Sequence, residues 1–319
     1  MLDALGADFT VFNPSFPTNK RTVYKGYLFV GDELLSESGM RNHPLTPMTD
    51  PSLVRVLQRQ TRHKVGLVGY ATIVQGAAAI RTAFADLRRH GIRHAVLDSI
   101  TDDHLMTLGE ACADMKLITG GSGMAMGLPA NYIRQGAMKS GRIAKLPKVA
   151  GPTVVIAGSC SVATQGQVAL MKKDHEAYEL DPMAIASGRD VAQDAIDWAS
   201  KRLSEKPILI YSTATPEQVR AVQDKLGREH AGSMVEETFG KIAKGLVAKG
   251  ARRLLVAGGE TSGAVVGALG VEGLAIGSEI DPGVPWTFSI GEPSLALALK
   301  SGNFGTPDFF TKAFKLQPT

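Results

Sequence analysis

ARRLLVAGGETSGAVVGALG, residues Ala251 to Gly270, reads as a buried strand, a glycine turn and a helix of small residues. Leu254 to Ala257 form a short apolar run between Arg252-Arg253 and Gly258-Gly259, the pattern of a central strand covered on both faces. The turn then falls at a strand's carboxyl end. Gly258 and Gly259 let the backbone adopt positive φ and approach a ligand closely, while Glu260, Thr261 and Ser262 place polar groups where a helix begins. The helix expected over Gly263 to Leu269 carries almost no bulky side chain, so its free N–H groups can meet an anion at close range. Phosphate suits that geometry. The same features also make a plain strand-to-helix junction, and neither GxGxxG nor GxxxxGKS/T is present to single out a Rossmann or Walker site.

Working outward, the second half repeats this alternation. Thr153 to Ala157 is a strand leading into Gly158-Ser159-Cys160-Ser161 and a helix over Ala163 to Lys172. Pro207 to Tyr211 is another, ending in Ser212-Thr213 before a helix opened by Pro216. Ala275 to Gly277 and Trp286 to Ser289 bracket a turn at Asp281-Pro282-Gly283, and Leu295 to Leu299 is expected to be helical, running into Lys300-Ser301-Gly302-Asn303-Phe304-Gly305. In open α/β sheets such loops gather at one edge, so Gly158-Ser159, Ser212-Thr213, Gly258 to Ser262 and Lys300 to Gly305 together could cradle a nucleotide. Lys300 reads either as a point charge for a phosphate or as the basic stop of a helix. Glu260 reads either as a carboxylate for Mg²⁺ or as a first-turn helix charge.

The first half opens with a strand over Asp8 to Phe12, then a hairpin or β-arm over Thr22 to Leu35 turning at Gly31-Asp32. Asp50 or Ser52 caps a helix carrying Leu53, Val56 and Leu57. Strands over Lys64 to Ile73, His94 to Leu97 and Leu117 to Thr119 alternate with helices over Ala77 to His90 and from Asp102 onward, which signals βαβ units. Asp98, at a strand end, is a candidate acceptor for a substrate hydroxyl proton or a polar cap for the helix after Ser99. Gly, Lys, Arg and Pro collect between Ser140 and Pro152, the expected linker. The fold class expected is α/β, in two domains, 1–150 and 151–319, each with a mainly parallel sheet flanked by helices. A chain of 319 residues is long enough for two cores.

Composition narrows the classes. The chain is 44% hydrophobic and 21% charged, with no run approaching the ~20 apolar residues of a membrane span. Its formal charge of +4 is spread along the chain and 6% of residues are aromatic, which argues against a nucleic-acid platform. Cys112 and Cys160 lie far apart without CxxC spacing, which suits thiols in a reducing cytoplasm. The seven histidines show no Cys/His clustering and no GxSxG elbow occurs, so neither a zinc site nor nucleophilic hydrolysis is supported.

Six segments carry a resemblance: KRTVYKGYLFVGDELLSESGM (Lys20 to Met40), HPLTPMTDPSLVRVLQRQ (His43 to Gln60), ITGGSGMAMGLP (Ile118 to Pro129), AGSCSVATQGQV (Ala157 to Val168), VAGGETSGAVVGALGV (Val256 to Val271) and LKSGNFGTPDFF (Leu299 to Phe310). Together they resemble the four-carbon acid sugar kinases. The resemblance implies an ATP-dependent enzyme with a substrate domain followed by a nucleotide domain, its active site in the cleft between them, phosphorylating the terminal hydroxyl of a four-carbon sugar acid with Mg²⁺. Carried over by position, the nucleotide contacts would be Ser159, Gly258, Gly259, Glu260, Thr261, Ser262 and Gly302; no catalytic base and no dedicated protein metal site is carried over. The implied partner is a small sugar acid, with a homo-oligomer allowed and neither nucleic acid nor membrane.

Two departures qualify the match. Lys20 stands where the family has glycine, and Tyr27 where it has histidine. Family members also carry an earlier strand ending in Asp-Asp-Phe-Thr-Gly and a Ser/Thr-rich loop, and Asp8-Phe9-Thr10 matches a later strand. The expectation is therefore a family member that starts late, with binding of nucleotide or sugar acid without turnover as the alternative to kinase activity.

Overall fold

The computed structural model describes residues 1–42, 46–139, 141, 148–214 and 216–316. The chain divides into two units, Met1–Arg142 and Ile143–Thr319. Of the linker expected between Ser140 and Pro152, residues 140 and 142–147 lie outside the described residues.

The first unit contains strands Thr10–Asn13 (β1), Arg21–Tyr24 (β2), Tyr27–Val30 (β3), Glu33–Leu34 (β4), Lys64–Val68 (β5), Ile92–Leu97 (β6) and Ile118–Gly120 (β7). One sheet has the order β5-β6-β1-β7 with every pairing parallel. The arm expected from Thr22 onward is a separate antiparallel sheet, β2-β3-β4. Its first turn rests on Lys25 and Gly26 at φ 52° and 74°, the left-handed conformation that a two-residue hairpin turn requires.

Strand alternation distributes the core. Ala95 and Leu97 of β6 face Ile80 and Phe84 of the helix Ala77–Arg89 and Leu105 and Leu108 of the helix Asp102–Ala111. Val96 faces the opposite way, onto Val23 and Leu28 of the arm and Leu53. Helices cover one side of the parallel sheet and the arm covers the other. The helix Asp102–Ala111 starts where Thr101 accepts a hydrogen bond from the His104 N–H, with Asp102 and Asp103 favoured by the dipole in the first turn. That helix meets the 3₁₀ segment Ser122–Gly127 backbone to backbone: a Cβ on Gly109 would lie 2.3 Å from the Gly127 carbonyl carbon. Gly109→Ala should therefore cost roughly 3 kcal/mol through overpacking, read as a lower urea midpoint. An unchanged midpoint would show that the helix can shift freely.

The second unit contains Thr153–Ala157 (β8), Ala177–Glu179 (β9), Ile208–Tyr211 (β10), Arg253–Ala257 (β11), Leu274–Asp281 (β12), Val284–Ser289 (β13) and Ala296–Lys300 (β14). They form one sheet in the order β12-β13-β14-β11-β8-β10-β9. The run from β14 to β9 is parallel, and β12–β13 is an antiparallel hairpin added at the β14 edge. Every residue of β8, β10 and β11 is buried, as expected for strands covered on both faces. Val154, Ile156, Leu254 and Val256 point to one face, against Ile242 and Leu246 of the helix Arg228–Ala248 and Val265 of the helix Gly259–Ala268. Val155, Ala157, Leu255 and Ala257 point to the other, against Val168 and Met171 of the helix Val162–Met171 and against Phe309 and Phe310.

The α/β class with parallel sheets flanked by helices is what the chain adopts. Three local expectations change. The strand expected over Lys64 to Ile73 stops at Val68, because Gly69 turns the chain into a helical turn over Tyr70–Ile73. Leu295 to Leu299, expected as helix, belongs to β14: a short apolar run has no decisive period, and here it fills the slot between β11 and β13, where both its backbone edges are paired. The helix expected from Gly263 begins at Gly259, because Gly258 at φ 134° turns the chain straight out of β11. No helix among the described residues is long and apolar enough to cross a membrane.

Candidate functional site

β8 and β11 are parallel neighbours, yet the chain leaves them toward opposite faces, into the helix Val162–Met171 on one side and the helix Gly259–Ala268 on the other. Such a switch leaves the carboxyl edge open between the two diverging helices, the usual place for a ligand in an open α/β sheet. Main-chain bonds stitch the loops of that edge together. The Gly158 and Ser159 N–H groups donate to the Ala257 carbonyl at 3.0 and 3.1 Å, the Gly258 N–H to that of Lys300 at 2.8 Å, and the Ser212 N–H to that of Ala157 at 3.0 Å.

Ser159, Gly258, Thr261 and Gly302, expected from scattered stretches of sequence, are linked by close approaches here, Gly302 lying against Ser159 and Gly258 against both Ser159 and Thr261. A Cβ on Gly302 would lie 2.2 Å from the Ser159 Oγ, and one on Gly258 would lie 2.8 Å from the Thr261 Oγ1. Gly158 is equally confined, since its Cβ would fall 2.2 Å from that same Thr261 oxygen. Gly259, by contrast, has nothing within 4 Å of its Cβ position and is exposed together with Glu260. The wall is tight and the mouth is open.

At that mouth the helix Gly259–Ala268 starts without a side-chain cap. Its first closing bond is Ser262 N–H to the Gly258 carbonyl at 2.9 Å, so the preceding N–H groups have no intrahelical acceptor and concentrate positive partial charge. The Ser262 Oγ is buried beside them with no hydrogen-bond partner. The helix Val162–Met171 differs, since Ser161 caps it by accepting from the Thr164 N–H at 3.2 Å. Beyond the open helix start, a groove of about 470 Å³ runs between it and the helix Arg228–Ala248, lined by Glu236, Gly240, Lys244, Ala264 and Ala268 among others. Burial, and then the charge of Glu260, push the Glu236 carboxyl above its ordinary range. Among the described residues no three His, Cys, Asp or Glu side chains are grouped to hold a metal.

Lys300 is neither a helix stop nor an exposed point charge. It ends β14, 1% exposed, and its Nζ donates to the Gly302 carbonyl at 2.8 Å, the Ser301 carbonyl at 3.0 Å and the Thr164 Oγ1 at 3.1 Å. Burial pulls its amine down to about 7, while three oxygen acceptors around one nitrogen suit the ammonium form. The Ser161 and Thr164 hydroxyls also donate to the Gly302 carbonyl, at 2.6 and 2.7 Å. Farther along, the Gln167 amide donates to the carbonyls of Phe304, Gly305 and Thr306, and Asp281 accepts from the Thr306 N–H. The loop after β14 is thus held from beneath along its length. Thr164 and Gln167 carry no sequence signal for this, since each is an ordinary polar residue in a helix.

Asp98 lies elsewhere in role as well as place. It is fully buried in the first unit, and its carboxylate accepts from the N–H groups of Lys25 at 2.7 Å, Gly26 at 2.8 Å and Tyr70 at 2.8 Å. It ties the turn of the arm to the parallel sheet, and Thr101, not Asp98, caps the following helix. Cys112 is buried, with its thiol pushed up to about 12, and the half-buried Cys160 is also shifted up by burial, so both are poor nucleophiles.

Comparison with known proteins follows the same division. A nucleotide-binding C-terminal domain family matches residues 154–310, and a sugar-binding N-terminal domain family matches residues 1–128. The chain is 55% identical to the 3-oxo-tetronate kinase of Pseudomonas savastanoi pv. phaseolicola over 99% of its own length and 73% of that protein's. It is 54% identical to the 3-oxo-tetronate kinase of Burkholderia multivorans over 99% of this chain and 74% of that one. Among solved structures, a Haemophilus influenzae protein is similar with a TM-score of 0.65 at 42% identity, covering 99% of this chain and 76% of the other. A Salmonella typhimurium LT2 protein, whose structure carries the provisional name tRNA synthase, gives 0.78 at 40% identity over 98% and 74%.

Proposed function

This chain belongs to the four-carbon acid sugar kinase family of phosphotransferases, and from that premise we propose that it moves the γ-phosphate of ATP to the terminal hydroxyl of a four-carbon sugar acid such as 3-oxo-tetronate. The observation that carries the reading is the uncapped start of the helix Gly259–Ala268 at the β8/β11 switch, inside the region that matches the nucleotide-binding family. Free N–H groups and a positive dipole end, beside glycines that admit close approach, are what a polyphosphate requires.

In this reading the main-chain N–H groups of Gly259, Glu260 and Thr261 and the unpartnered Ser262 hydroxyl receive phosphate oxygens, Gly258 supplies the turn that presents them, and Ser159 and Gly302 close the opposite wall. Mg²⁺ fits the donor set, because magnesium in such sites is held by one or two carboxylates, phosphates and water, and Glu260 is the exposed carboxylate at the helix start. It would supply charge neutralisation on the transferring phosphoryl group. The chain's own groups contribute positioning and fixed dipoles, which is most of what phosphoryl transfer asks of a protein. The sugar acid falls to the first unit, whose residues 1–128 match the sugar-binding family. ATP as donor and two unpaired cysteines suit the cytoplasm.

The test is calorimetric titration with ADP and Mg²⁺, followed by a coupled assay with four-carbon sugar acids. Saturable heat at micromolar to millimolar ADP is expected. No heat at millimolar ADP would overturn the nucleotide reading, and binding without turnover on any four-carbon acid would favour the binding-protein alternative.

A further inference from the structure

We propose that Lys300 is a positioning residue for nucleotide phosphates, a buried cation that sets both walls of the cradle at once. The inference rests on the nucleotide reading of that edge and adds to it a residue outside the direct contacts.

Two bonding patterns meet in this one residue. Through its carbonyl, Lys300 accepts the Gly258 N–H at 2.8 Å and so fixes the residue from which the helix Gly259–Ala268 departs. Through its Nζ, it draws the carbonyls of Ser301 and Gly302 inward at 3.0 and 2.8 Å. When a carbonyl points into the protein, the N–H of the following peptide tends to point the other way along the same peptide plane. Holding two successive carbonyls under the loop therefore fixes the peptide planes on either side of Gly302, the residue packed against Ser159. Thr164, itself fully buried, completes the device: its hydroxyl accepts from Lys300 at 3.1 Å and donates to the Gly302 carbonyl at 2.7 Å.

Placing a cation here is costly unless something compensates. An ammonium sealed from water loses its hydration, and burial accordingly weakens the hold of Lys300 on its proton. A polyphosphate arriving above the loop supplies the missing negative charge across a dry gap, where electrostatic attraction is stronger than in water. The use of a lysine is explained by an anion that binds over it.

Lys300→Met keeps the length and burial of the side chain and removes the charge and the donors. In calorimetry at pH 6.0 with Mg²⁺, where the buried amine keeps its proton, it is expected to weaken ADP and inorganic tripolyphosphate about tenfold each, while adenosine binding changes little. Thr164→Val, which leaves the cation but removes its relay to Gly302, should weaken both phosphate ligands by a smaller factor. If Lys300→Met melts as the parent does and binds ADP as tightly, the proposal is wrong. If Lys300→Met does not fold, Thr164→Val decides: unchanged ADP affinity overturns the proposal and a selective loss for phosphate ligands supports it. Failure of the parent protein to bind ADP would instead remove the nucleotide reading on which the inference stands.

Discussion

Asp98→Ala is expected to destabilise the first unit by roughly 4 kcal/mol, enough to leave a marginal domain partly unfolded at ambient temperature. The fully buried carboxylate accepts three main-chain N–H groups, from Lys25, Gly26 and Tyr70, and all three would lose that acceptor, the Gly26 group at a buried position and the other two at partly buried ones. Hydrogen bonds to a charged group contribute about 1.5–3 kcal/mol each, and leaving their partners unsatisfied adds the desolvation penalty. Asp98→Asn should fare little better, because one amide oxygen cannot replace two carboxylate oxygens and its NH₂ would face N–H donors. Urea unfolding followed by circular dichroism is the measurement. A midpoint within error of the parent would mean that the arm closes without this staple, and would return Asp98 to consideration as a proton acceptor.

Gly302→Val should reduce ADP affinity by more than 100-fold, about 2.7 kcal/mol or beyond. Its Cβ would fall 2.2 Å from the Ser159 Oγ and 3.1 Å from the Ser161 Oγ, so either the loop after β14 lifts or the turn after β8 is pushed aside. Either movement separates the two walls of the cradle. Gly259→Ala serves as the complementary test, since nothing lies within 4 Å of its Cβ position in the free protein. This variant should melt like the parent but bind ADP several-fold more weakly, because the added methyl group occupies space that only a ligand would use. Equal ADP affinity in both variants would place the phosphates away from this edge.

Much of the architecture was legible in residues 153–157 and 251–270, because buried parallel strands are continuous apolar runs and the glycines that end them are chemically conspicuous. The loops that hold Ser159, Gly258, Thr261 and Gly302 are readable for the same reason, since strand ends of a parallel sheet share one edge, while the choice of those residues within the loops comes from the family resemblance. The arm at Thr22 to Leu35 was equally readable from its β-branched and aromatic residues around glycine turns.

The roles of Lys300, Thr164 and Asp98 belong to tertiary structure alone. Leu295 to Leu299 has no period strong enough to choose between helix and strand; the open slot between β11 and β13 chose strand, and that choice buried Lys300 where a helix would have left it at a polar end. Once buried, its ammonium needed acceptors, and it found them in Ser301, Gly302 and a threonine that precedes it by 136 positions. Asp98 likewise looked like a cap or a base from its position after β6, but three N–H groups from two distant segments converge on it. Local sequence determines which segments form strands, turns and helix starts, since those depend on neighbouring residues. Which polar side chains are buried, and on what, depends on partners far along the chain, and only the packed structure brings them together.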